Sequence, residues 1–160
     1  MYRWFAPLRS VPLGLVVAVA LCTALPSTGR AQEVMKEVSP EQMTRILTAM
    51  GLEATEAPGA KEGEQAPLLL ELGGYRALLF LLNDNTDGQL YVVFKGKVKT
   101  EQMNEWNRDH RFARAYRDDD GDAVLEADLD FAGGVTEEAI KAWVRLFRDM
   151  TMDYAKYVDG

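Results

Sequence analysis

Carboxylates are the most abundant reactive groups in this 160-residue chain, so chemistry must first be sought among them. Asp118, Asp119, Asp120 and Asp122 surround Gly121, which suggests a calcium loop. An EF-hand needs Asp or Asn five residues before its glycine and Glu six after it. Tyr116 and Ala127 stand there, and neither can ligate. Asn83 to Gly88 (NDNTDG) matches three loop positions, but Phe94 occupies the place of the bidentate glutamate. Both stretches read as solvated turns.

Nucleophiles are scarcer still. The chain has one Cys, Cys22, and one His, His110, so neither a cysteine-based zinc site nor a His-pair metal site can be assembled. His110 sits between Asp109 and Arg111 with no Ser or Cys nearby in sequence. Ser39 is the single serine beyond residue 31, and it is placed to cap a helix. Glu126 and Asp128 come closest to a working carboxylate pair. They alternate with Leu125, Ala127 and Leu129, the pattern of a solvated strand face. No catalytic residue, metal ligand or cofactor is expected, and the chain does not read as an enzyme.

The charge balance narrows the partners. Lys plus Arg is 18 against 25 Asp plus Glu, a formal charge of −7. The first 31 residues carry Arg3, Arg9 and Arg30 and no acid, so the remainder is more acidic than the whole. Such a surface repels phosphate backbones and anionic headgroups, which argues against a nucleic-acid partner. Residues 1–31 read as a secretory signal peptide: a basic start, the apolar run Leu13 to Leu25, a break at Pro26, and small residues Gly29 and Ala31 before Gln32. The run is short for a permanent span. Leu21 before Cys22 is too large for a lipidation site. The expectation is export to the periplasm or beyond, with cleavage after Ala31 and one domain over 32–160. Retention of the segment as an anchor is the alternative.

The elements that follow are well marked. Ser39 caps a first helix with Pro40 at its first position and Gln42 closing a capping box. Val38 and Met43 form a hydrophobic staple, and Gly51 then Leu52 make a Schellman ending. Residues 53 to 66 read as a loop. Strands are expected over 68–72, 75–82 and 89–94, joined by Gly73-Gly74 and by the turn at 83–88. The run from Ala77 to Leu82 has no polar face, which predicts a strand covered on both sides. Thr100 caps a short helix ending near Asn107, strands follow over 112–116 and 123–131, and Thr136 caps a long last helix. The fold class is α+β, an antiparallel sheet of about five strands packed with helices in the order α-βββ-α-ββ-α. On the last helix Ile140, Trp143, Val144, Phe147, Thr151, Tyr154 and Val158 form one row. Ala139, Ala142, Leu146, Met150 and Tyr157 form a second, making the apolar stripe wider than packing on one sheet needs. Leu146, Met150 and Tyr157 are therefore a candidate homodimer row.

One stretch is more specific than the rest: Asn104-Glu105-Trp106-Asn107, then Arg111-Phe112-Ala113-Arg114-Ala115-Tyr116, then Gly133-Gly134-Val135-Thr136. It closely resembles the signature of the YbjN family, bacterial domains described as sensory transduction regulators, over roughly residues 38 to 158. The resemblance implies a fold like that of type III secretion chaperones, no attached catalytic activity, and a tendency to dimerise. In packing terms, Trp106 anchors the short helix and Asn104 and Asn107 bond main-chain groups. Arg111 and Arg114 pair with Glu126 or Asp128 across a hairpin. The competing reading makes Trp106, Asn107 and Arg111 a recognition surface. Two functions stand: a non-enzymatic exported binding or chaperone-like module acting on an unidentified protein, or a small-ligand- or metal-dependent periplasmic sensor or enzyme.

Overall fold

In the computed structural model, which describes residues 32–61, 63–96 and 98–159, the segment read as a signal peptide, with its Cys22, lies outside the described residues. The elements run β1 (Val34–Met35), α1 (Pro40–Ala49), β2 (Ala54–Glu56), β3 (Leu68–Leu72), β4 (Tyr75–Leu82), β5 (Asp87–Phe94), α2 (Thr100–Asp109), β6 (Arg114–Arg117), β7 (Ala123–Asp130), β8 (Val135–Thr136) and α3 (Glu137–Asp159). Six strands make one antiparallel sheet in the order β2-β3-β4-β5-β7-β6, and β1 pairs with β8 in a two-residue ribbon. This is the expected α+β class.

The helix signals act as the sequence implies. Ser39 Oγ accepts from the Gln42 N–H at 3.3 Å while Gln42 Oε1 accepts from the Ser39 N–H at 2.8 Å. Gly51 takes φ +76°, and the Leu52 N–H reaches back to the Leu47 carbonyl at 3.0 Å, closing the Schellman ending. Thr136 Oγ1 accepts from the Ala139 N–H at 3.2 Å. In α2 the helix begins one residue early: Lys99 is the cap position, and Thr100 lies inside the first turn.

All three helices lie on one face of the sheet. Along β3, β4, β5 and β7 the residues Leu72, Ala77, Leu79, Leu90, Val92, Leu125 and Ala127 point to that face and are buried. They meet Ile46 and Leu47 from α1 and Ile140, Val144, Phe147 and Tyr154 from α3. Gly88 sits under α3 because nothing larger fits. A Cβ there would lie 2.7 Å from Phe131 Cζ and 3.0 Å from Trp143 Cη2.

Three further expectations are corrected. Residues 53 to 66 are not all loop, since Ala54–Glu56 pairs with Leu68–Leu70 as an edge strand. Its own pattern carries no alternation, and the β3 edge it completes supplies the order. The strand expected over 112–116 starts at Arg114, because Phe112 takes a left-handed φ of +71° that ends strand geometry. Finally, β4 is not covered on both sides. Ala77, Leu79 and Leu81 are buried, but Leu78 and Phe80 are half-buried and Leu82 is 40% exposed on the other face.

Candidate functional site

The uncovered face of the sheet is the largest feature that folding alone does not use. Antiparallel register fixes which side chains share it. One row across the strands is Leu69, Leu78, Tyr91, Glu126 and Arg114. The next is Phe80, Gln89 and Asp128, and the last is Leu82, Asp87 and Asp130. Phe80 and Tyr91 meet edge to face, with centroids 6.2 Å apart. Along β3 and β4 the face is apolar except for the exposed pair Glu71 and Arg76, and along β7 it turns acidic beyond the buried Val124.

On β7, next to the β6 edge, lies a buried carboxylate. Glu126 is 3% exposed and pairs with Arg114 directly across the β6–β7 hairpin, as expected for that arginine. Its second oxygen accepts from the Tyr116 hydroxyl at 2.6 Å. Burial, and then the hydrogen bond to Glu126, push the Tyr116 phenol far above its ordinary value, so it stays a donor at any physiological pH. The group is self-contained. Both carboxylate oxygens accept hydrogen bonds, one from Arg114 and one from Tyr116.

Beside it, Phe112 stands out from the surface, 66% exposed, with the Arg111 guanidinium 5.0 Å from its ring centroid. Phe112, Arg114, Glu126 and Asp128 border a shallow cleft of about 320 Å³. A larger hollow of about 680 Å³ lies between α1 and β2, bounded by Thr44, Arg45, Thr48, Ala54 and Glu56, and holds no His or Cys. No group of three or more His, Cys, Asp or Glu among the described residues could hold a metal ion.

The residues of the sequence signature have separate placements. Trp106 is 1% exposed, with its ring stacked on His110 at 3.5 Å and edge-on to Tyr154 at 4.9 Å, so it offers no side chain to a recognition surface. Asn107 binds the edge strand β6 twice. Its Nδ2 donates to the Ala115 carbonyl at 2.8 Å, and its Oδ1 accepts from the Ala115 N–H at 2.7 Å. Asn104 is exposed and makes no comparable bond among the described residues. Arg111 lies on Phe112 rather than on Glu126 or Asp128. His110 is half-buried with Nδ1 3.1 Å from the Trp106 carbonyl.

On α3, Leu146 and Met150 are half-buried, and Met150 packs on the core. Tyr157 is also half-buried and donates its hydroxyl to the Gln102 carbonyl of α2 at 3.1 Å. Sequence reasoning missed the exposure of Phe112 and the acidic row. The facing of Asp87 and Asp130 becomes visible only with the register.

Asn107 gives a first test. Asn107→Ala leaves the Ala115 N–H and carbonyl without partners on a sheet edge that water can reach. It is expected to cost about 1–2 kcal/mol in denaturant melts, and the bared edge should make the variant associate as concentration rises.

Residues 39–160 match the family profile described as "YbjN: Putative bacterial sensory transduction regulator". No curated protein matches the chain. Among solved structures, "YbjN, a putative transcription regulator from E. coli" is similar at a TM-score of 0.51 and 18% identity, covering 66% of this chain and 80% of that one. A matched segment that spans both the Trp106–Asn107 anchor and the β6–β7 ion pair, together with a neighbour of the same fold, places the chain in the YbjN family.

Proposed function

We propose that this protein is an exported, non-enzymatic regulator module that works by binding another protein on the open face of its sheet. The observation that carries the reading is Phe112. It is 66% exposed on a left-handed backbone, a conformation that costs a non-glycine residue about 1–2 kcal/mol. Inside the domain the Arg111 guanidinium lies over the ring at 5.0 Å and leaves most of it exposed, whereas a partner covering the ring would bury it. Half-buried Leu78 and Phe80 and exposed Leu82 add a second apolar strip on β4, across β5 and β7 from Phe112. The chain's acidity disfavours DNA as the direct contact, so regulation would pass through protein. The tripartite residues 1–31 support export.

Photo-crosslinking in the native host tests this. A benzoylphenylalanine at position 80 or 112 is expected to capture a discrete protein, and one at position 156 on the outer side of α3 is not. The intact mass of the same purified protein should correspond to a chain beginning at Gln32. Equal capture from all three positions, or none, would overturn the binding face. A full-length cytosolic form would overturn export.

A further inference from the structure

Asp87 and Asp130 face each other directly across β5 and β7, on the open side of the sheet. Like charges in that position oppose strand pairing, and opposite charges or apolar pairs would favour it. Among the described residues neither aspartate joins an ion pair, while Asp128 one row over accepts from Gln89 Nε2 at 3.0 Å and lies in the field of Arg114. Asp87 accepts from Asn83 and Asp130 from the Ala132 N–H, which fixes the carboxylates without neutralising them. Asp87 lies opposite Leu82 in the register, Asp128 is one strand beyond Phe80 across Gln89, and Asp128 shares a cleft with Phe112. They do not converge on a point as metal ligands would.

We infer that the open face takes a basic, amphipathic segment of a partner protein, with its apolar side chains over Phe80, Leu82 and Phe112 and its Lys or Arg side chains over Asp87, Asp128 and Asp130. This rests on the protein-binding reading above and adds the chemistry of the partner. Charge complementarity selects the occupant. An acidic corner repels nucleic acid and anionic lipid and draws in cationic segments, while the apolar strip fixes their register. The unfavourable Asp87–Asp130 pairing is then a feature of the free protein that binding relieves.

The test uses the processed protein from its host and a labelled helical-period Leu/Lys peptide, with a Leu/Glu peptide as the counterpart. The Lys peptide is expected to bind and to weaken by about tenfold or more between low and high salt. The Glu peptide should not bind. Asp128→Asn/Asp130→Asn should weaken binding by about tenfold. Asp149→Asn/Asp153→Asn removes the same charge from α3 and should leave affinity unchanged. Asp87→Asn should weaken binding and at the same time raise the melting temperature, because it removes the like-charge pair.

Equal losses in both double variants, binding of the Glu peptide, or preference for anionic lipid vesicles would each overturn the inference. Capture at positions 80 and 112 that survives Asp128→Asn/Asp130→Asn would leave the binding face standing and remove only its basic partner. Loss of capture from the parent protein would remove the face itself.

Discussion

Trp106→Ala is expected to destabilise the domain by about 3–5 kcal/mol, the range for emptying a large aromatic site in a packed core. The indole is enclosed by His110, Tyr154 and Tyr157, with ring centroids at 3.5, 4.9 and 5.6 Å. Tyr154 in turn meets Phe94 at 5.0 Å, so the cavity would open into the layer between α2, α3 and β5. Trp106→Phe should cost far less. The indole Nε1 is buried without a hydrogen-bond partner, so the smaller ring loses volume but also removes an unsatisfied donor. Urea melts of the two variants measure the difference. Similar losses would mean that the nitrogen has a partner in solution, and no loss in either would mean that α2 is not anchored by this residue.

The second large effect is asymmetric. Arg114 is 65% exposed at its side chain and Glu126 only 4%, yet removing the exposed partner should cost more. Arg114→Ala strands a buried carboxylate with the Tyr116 hydroxyl as its remaining hydrogen bond, an expected loss of about 2–3 kcal/mol. The figure lies at or below the low end for fully buried pairs because water already reaches the guanidinium. Glu126→Gln frees an arginine that solvent can hydrate and keeps an acceptor for Tyr116, so about 1 kcal/mol is expected. Arg114→Ala/Glu126→Gln should then recover part of the loss of the first variant alone. Additive losses in a double-mutant cycle would show that the two side chains do not depend on each other.

Local signals were the legible part of this fold. The Ser39–Gln42 box, the Gly51–Leu52 ending and the Thr136 cap need only a few neighbouring residues, and each forms as its spacing implies. The Arg114–Glu126 pair was legible because one hairpin fixes its register. Long-range coverage was not. The run Ala77 to Leu82 is apolar at every position, and a single strand cannot reveal that all three helices fall on one side of it. For the same reason β2 was invisible, since its three residues are ordered by β3 and not by their own pattern. The candidate site shared that blindness. Trp106 and Asn107 stood out in sequence because the fold needs them, while Asp87 and Asp130 are 43 positions apart and acquire meaning only when β5 and β7 are laid side by side.

The double bond from Asn107 to Ala115 reaches beyond the single chain. A side-chain amide offers one donor and one acceptor in the geometry of a neighbouring strand, so β6 is already engaged at Ala115, where another sheet would join it. At the opposite margin, β2 has no such stopper among the described residues. A second sheet that approached the β6 edge would find both main-chain groups of Ala115 already taken, so edge-to-edge growth is blocked at that position.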